Sequence, residues 1–217
     1  MKIPSQSESA SSAVFDTVAL NYFLLAGESR LLCDLFARPL FVSRIVYDPD
    51  EELGIQEIAM SELSRGVFRF HRLGNDPETL PGDRDDANRK ARHLESIKSL
   101  VSSGAVEVVD MNDKEMSIFD RLTDPNEITK YGRKFPLQSG EAASIAIAVS
   151  RQLTLATDDN DAIVVLGKVA SNHPTERIRA ILIRAVEWKL ITVQDANSIH
   201  ENMRAAGFWD KGTPFPD

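Results

Sequence analysis

The chain predicts an α/β fold, a mostly parallel sheet covered by helices on both faces. Short β-rich apolar runs alternate with helical periodicities along most of its length, a pattern that packs as a parallel sheet between helices. The run Ala142, Ala143, Ile145, Ala146, Ile147, Ala148, Val149 is apolar nearly all round, and such a helix is buried on every side. Finally, the runs Ala13-Val14-Phe15 and Leu153-Thr154-Leu155-Ala156-Thr157 both end in carboxylates, Asp16 and the cluster Asp158-Asp159-Asn160-Asp161. In open α/β sheets, sites gather at the carboxyl ends of strands.

In chain order, Ala13 to Asp16 reads as a strand ending in an acid. Val18 to Leu25 is a helical run into Gly27. Leu31, Leu32, Leu35 and Phe36 recur at helical spacing, and that helix ends before Pro39. Leu40 to Tyr47, rich in β-branched and aromatic residues, predicts a strand. Asp48-Pro49-Asp50-Glu51 offers an N-cap, a proline in the first turn and an acid for a helix start. Ile55 to Leu73 is helical and mixed in polarity, and Gly74 to Gly82 is a loop. Asp85 to Val101 is an amphipathic helix with Ala91, Leu94, Ile97, Leu100 and Val101 on one face.

Val106 to Val109 predicts a strand, Lys114 to Leu122 a helix, and Asp124 to Gly140 a long loop with two prolines. Ser139 caps the buried helix, Leu153 to Thr157 is a central strand and Ala162 to Val169 a helix. Pro174 opens another helix, with Ile178, Ile181, Leu182, Ala185 and Val186 on one face. Thr192 and Asp195 form a capping-box start for a last helix carrying Ala196, Ile199 and Met203, stopped by Gly207. No internal repeat interrupts this order.

At 217 residues the chain can bury one substantial core with a small appended subdomain. Its 42% hydrophobic content excludes wholesale disorder. No apolar stretch approaches the roughly 18–20 residues of a membrane span. Met1 to Ser12 is polar and Ser-rich and reads as a disordered leader or an artificial remnant. Cys33 is the one cysteine, so no intrachain disulfide forms, and the four histidines are too scattered for a usual zinc site. A reducing cytoplasm fits best. The net charge of −8 argues against a generic nucleic-acid coat, because phosphate binding rests on Lys and Arg. It leaves room for a nuclease with local cations and a metal that offsets its own acids.

The acids carry the chemistry. Three carboxylates within Asp158–Asp161 repel one another. Convergence at a strand end lowers stability unless a cation sits among them. Each acid also has a plain reading: Asp16 as a helix cap, Glu141 as a helix N-terminal acid, Asp158 to Asp161 as a solvated turn. Without metal, one or more of them titrates above its ordinary value.

Phe15-Asp16-Thr17-Val18-Ala19-Leu20, Gly140-Glu141-Ala142-Ala143-Ser144-Ile145-Ala146-Ile147-Ala148 and Leu155-Ala156-Thr157-Asp158-Asp159 resemble, in order, three motifs of the PIN-domain nucleases. That family includes the VapC-type toxins of bacterial toxin–antitoxin pairs. The resemblance covers roughly residues 14–169. It implies a three-layer α/β/α sandwich around a short parallel sheet, in a domain spanning 13–172. Extra helices fall in an insertion at about 55–140 and in a C-terminal extension, 173–217, packed on the same domain.

The implied activity is Mg²⁺- or Mn²⁺-dependent cleavage of RNA phosphodiesters. Asp16 and Glu141 match family metal ligands, and Asp159 is preferred over Asp158 as the acid ending the last core strand, with Asp161 completing the group. For the acid on the helix after the second strand, Asp48, Asp50, Glu51 and Glu62 compete. Glu51 has suitable spacing, while Pro49 falls where some members carry the acid.

The resemblance implies an RNA substrate and, for a toxin, a small antitoxin filling the acidic groove. A homodimer stays open, as does DNA in place of RNA. The loop Lys130-Tyr131-Gly132-Arg133-Lys134-Phe135 mixes cations and aromatics as single-strand binding surfaces do. Lys130, Arg133 and Lys134 therefore border the substrate groove, or else the loop is solvated and pinned by Phe135. Arg89, Lys90, Arg92 and His93 form the wet face of their helix, His173 belongs to a helix start, and Trp188 and Trp209 are packing residues. A non-catalytic PIN-like scaffold binding RNA or protein is the alternative. An aspartyl-nucleophile phosphohydrolase fits poorly, since Val18 stands where its second Asp belongs.

Overall fold

The computed structural model describes residues 11–47, 62–210, 212 and 215. Five strands, β1 (Ala13–Phe15), β2 (Leu40–Ser43), β3 (Val106–Val109), β4 (Thr154–Ala156) and β5 (Thr175–Glu176), form one sheet in the order β3-β2-β1-β4-β5. Every pairing is parallel, with Val14 beside both Phe41 and Leu155 at the centre. Side chains alternate across a strand, so Ala13, Phe15 and Ala156 enter one core while Val14 and Leu155 enter another.

The first core is filled by α1 (Thr17–Leu25), α2 (Ser29–Leu35), α5 (Pro81–Ser102), α9 (Ile178–Glu187) and α10 (Val193–Ala205). The second takes α6 (Asp113–Thr123), α7 (Ser139–Arg151) and α8 (Asn160–Val169). The result is a three-layer α/β/α sandwich. The α9–α10 pair after the sheet buries Ile178, Ile181, Leu182, Ala185, Ala196 and Met203 in the first core. Among the described residues no helix is long and apolar enough to cross a membrane.

Several elements differ from the sequence expectation. The run Leu40 to Tyr47 splits into β2 and a single turn, α3 (Arg44–Tyr47), where the Val46 N–H donates to Ser43 Oγ at 3.3 Å. A local hydroxyl acceptor outcompetes the sheet there. The loop after α4 (Glu62–Asn75) is shorter than expected, because Pro81 opens α5 from its first turn. A 3-10 turn at Ile128–Tyr131 interrupts the long loop, with Ile128 fully buried. Pro174 opens no helix: Thr175 and Glu176 pair with β4 as an edge strand and α9 starts at Ile178.

Further corrections concern single residues. Ser11 and Ser12 are no loose leader, since the Ala37 and Thr154 N–H groups donate to their carbonyls at 3.3 and 3.0 Å. His173 reaches back to the Leu153 carbonyl at 2.8 Å, and His93 turns inward to the Leu25 carbonyl at 3.0 Å. Trp209 and Trp188 pack on the Phe208 ring and the Arg184 guanidinium, at 5.8 and 5.3 Å, while staying 53% and 38% exposed. The first part of the helix expected over 55–73, and its start at 48–51, lie outside the described residues.

Glu115 ties α6 to α7. It closes a capping box with Asn112, at 2.9 and 3.0 Å, and takes the Arg151 guanidinium at 2.7 and 3.1 Å while itself fully buried. Burial alone pushes this carboxyl up, but the Arg151 and Asn112 hydrogen bonds take it below its ordinary value. Its stabilisation is therefore present above the ordinary carboxylate range and lost as pH falls through the depressed value. Truncating Arg151 strands a buried carboxylate. With Arg151 itself partly exposed, we expect R151M to cost about 2–3 kcal/mol in urea denaturation at pH 7. An unchanged midpoint contradicts this account.

Candidate carboxylate site

Asp16 follows β1 at the carboxyl end of the central strand and is 1% exposed. Three hydrogen bonds fix it. Its N–H donates to the Ala156 carbonyl at 3.1 Å and continues the β1–β4 pairing by one residue. Its Oδ1 accepts from the Ala19 N–H at 2.8 Å, capping α1. Its Oδ2 accepts from the Thr157 hydroxyl. The helix-cap reading of Asp16 is thus true as geometry, but the cap uses one oxygen of a buried acid.

Glu141 stands in the first turn of α7, where the Gln138 N–H donates to its Oε2 at 3.2 Å. This helix lies against β1: Ser144 is fully buried, and its hydroxyl donates to the Phe15 carbonyl at 3.5 Å. Small residues along α7 permit that approach, which brings its N-terminus to the end of the strand carrying Asp16. Asp158, next to Thr157 beyond β4, is buried, and its Oδ2 accepts from the Ile178 N–H at the start of α9 at 2.6 Å.

These groups act on one another. Burial pushes the Asp16 carboxyl up to about 7, against the lowering hydrogen bonds from Thr157 and Ala19, and the charges of Glu141 and Asp158 raise it further. Burial likewise pushes Asp158 up to about 6; the Ile178 N–H and the Arg177 charge lower it, and Asp210 raises it. The sequence expectation that an acid of this group titrates high without metal matches both.

Asp159 and Asp161 have further partners at the start of α8. Asp159 Oδ1 accepts from the Asp161 and Ala162 N–H groups at 2.7 and 2.8 Å, capping α8. Its own N–H donates to Thr157 Oγ1 at 3.0 Å, so one hydroxyl joins Asp16 to the Asp159 backbone. Asp161 is exposed and ion-pairs with Arg133. The acids whose charges bear on Asp16 are Glu141 and Asp158. Asp48, Asp50 and Glu51, with the side chain of Glu62, lie outside the described residues.

The cationic loop is anchored beside this pole. The Arg133–Asp161 pair and the Lys168 ammonium, which donates to the Tyr131 carbonyl at 2.7 Å, fasten it to α8. Gly132 has φ of 75°, a left-handed conformation that favours glycine. Lys130 pairs with Glu127 at 2.6 Å, Lys134 is exposed, and Phe135 is 72% exposed, which removes the pinning role expected of it.

Asp16, Glu141 and Asp158 offer only carboxylate oxygen, the donor chemistry of a hard divalent cation. Among the described residues no group of three or more His, Cys, Asp or Glu stands close enough to hold a metal ion. Mg²⁺ is commonly held by one or two carboxylates, with water and substrate phosphate filling the octahedron, and these side chains are of the donor type it takes. The effects of the Ile178 N–H, Arg177 and Asp210 on Asp158 escaped the sequence reading because they act from distant positions and belong to no spaced motif. Comparisons with protein-family models, with curated proteins and with solved structures find no match to this chain.

Proposed function

We propose that this chain is a metal-dependent endoribonuclease of the PIN type, hydrolysing RNA phosphodiesters at the carboxylate pole with Mg²⁺ or Mn²⁺. One observation carries the reading. A buried acid at the end of the central strand is opposed by two more, from the adjacent strand's end and a helix start. Such an arrangement costs stability and persists where a cation offsets it. Asp16 and Glu141 would hold the ion, with Asp158 or Asp159 from the β4 end. The bound ion would lower the pKa of its water and polarise the scissile phosphate.

The chain's own residues supply the rest. Thr157 and the α1 N-terminus orient the Asp16 carboxylate. The loop bearing Lys130, Arg133 and Lys134 would meet the RNA backbone, with Phe135 as a stacking surface. A cytoplasmic setting and a toxin role with an antitoxin partner belong to this reading.

The test is cleavage of structured and unstructured RNA with Mn²⁺, with chelator, and by E141Q. We expect cleavage from the unmodified chain with metal and none in the other two cases, with the circular dichroism of E141Q unchanged. Cleavage that survives both chelator and E141Q overturns the proposal. A second reading, a non-catalytic scaffold binding RNA or protein, is favoured by the lack of a three-ligand group among the described residues. It predicts RNA or protein binding without turnover and no saturable stabilisation by Mn²⁺.

A further inference from the structure

The helical hairpin of α4 and α5 carries a charge pattern that runs against the rest of the chain. The net charge is −8, yet Leu63 to Asn75 holds three arginines and no acid. Leu63 and Phe70 are buried, and a Cβ at Gly66 would stand 3.0 Å from Leu94 of α5. That face of α4 is therefore the one packed on its neighbour. Arg65, Phe68, Arg69 and Arg72 recur at i, i+3, i+4 and i+7 on the opposite face, and all four are exposed.

Phe68 also lines a groove of about 430 Å³ between the two helices, together with Val67, Leu94, Ile97 and Lys98. Its side chain is 42% exposed. Glu95, an acid of the same groove, is met by His71, whose Nε2 lies 3.2 Å from its Oε1. The hairpin begins near the carboxyl edge of the sheet: α4 packs on α3, which follows β2, and β2 runs parallel to the strand that ends in Asp16. A solvated helix face ordinarily mixes both signs in supporting pairs. This face instead sets a row of cations beside an aromatic ring and an apolar groove. That combination follows a phosphate backbone and stacks its bases.

We propose that the α4–α5 groove docks single-stranded RNA, with Phe68 as the stacking platform and Arg65, Arg69 and Arg72 meeting the phosphates. The site needs no metal and does not rest on the cleavage reading. The acidity of the chain as a whole does not oppose it, because charges farther than about 8–10 Å are largely screened at physiological salt.

The experiment follows the fluorescence anisotropy of a labelled oligouridylate of about twelve nucleotides, a length such grooves span, titrated with the full chain in EDTA. Chelator removes both cleavage and any metal-held contact. We expect F68A to weaken binding about five- to tenfold through lost stacking. The double variant R69Q/R72Q should weaken it about tenfold and flatten the salt dependence of log K by about 1.4, roughly 0.7 for each phosphate contact. R89Q removes an exposed cation of α5 that pairs with Asp86, and it should bind as the unmodified chain does. No binding by the unmodified chain overturns the inference, as does unchanged binding by F68A and R69Q/R72Q. An equal loss in R89Q overturns it too, by showing a general charge effect. Polyglutamate that displaces the RNA as well as unlabelled RNA of equal charge assigns the surface to an acidic protein instead. Cleavage with Mn²⁺ is read separately and bears on the carboxylate pole alone.

Discussion

D16N is expected to fold, to melt higher than the unmodified chain at pH 8, and to lose RNA cleavage by at least about 10²–10³-fold, the loss that follows removal of one electrostatic stabiliser. Asparagine keeps the shape. Its carbonyl can accept from the Ala19 N–H as Oδ1 does, and its amide can face the Thr157 hydroxyl in place of Oδ2. What disappears is the charge. With Asp16 pushed from 3.8 to about 7 by burial, its ionisation in the folded state costs up to about 4 kcal/mol at pH 8. D16N removes that cost, and we expect it to gain about 2–4 kcal/mol at pH 8 and little at pH 5. Urea denaturation at the two pH values and a cleavage assay with Mn²⁺ read all three quantities. A variant that retains metal-dependent cleavage removes Asp16 from the reaction, and one destabilised at pH 8 shows that its charge is compensated.

The second large effect is the pH dependence of the unmodified, metal-free chain. Asp16 and Asp158 are raised, to about 7 and about 6, so the folded state holds protons that the unfolded chain has already released. Stability from these groups is greatest below the ordinary carboxylate value. It is lost as pH rises through the folded values. From pH 5 to pH 8 the loss should be about 4 kcal/mol, two units from Asp16 and one from Asp158 at about 1.4 kcal/mol each. Mn²⁺ at one hundred times its dissociation constant should restore about 2.7 kcal/mol at pH 8. Denaturation series at pH 5, 6.5 and 8, with and without metal, test this. Stability that is flat or rises over this range contradicts the burial of two strained carboxylates, and a fall that Mn²⁺ leaves untouched contradicts the cation.

The two predictions share one cause, the packing of α7 and β4 around the end of β1. Much of that packing was readable. Ala142 to Ala148 carry no polar face but Ser144, and such a helix has nowhere to go but between the sheet and other helices. The β-rich runs at Ala13 and Leu153 are central because both faces are apolar. What was illegible has physical reasons too. The Thr175–Glu176 strand is two residues long, and only its pairing with β4 distinguishes it from a loop. Arg44 to Tyr47 has strand composition but turns on a local Ser43 hydrogen bond. Asp159 carries the motif position, yet its backbone geometry assigns its Oδ1 to the α8 cap, and Asp158 turns inward.

The amino-acid order by itself determined the α/β class, the two central strands, the buried helix and the acids worth suspecting, because periodicity and strand-end position are local properties of a chain. Only the tertiary structure decided which carboxylates face one another and which are spent on caps and ion pairs. Contacts such as Asp16 with Thr157, Asp158 with Ile178 and Asp161 with Arg133 join segments that no local pattern links. Burial then sets their charge state, and burial belongs to the packed fold and not to any one segment.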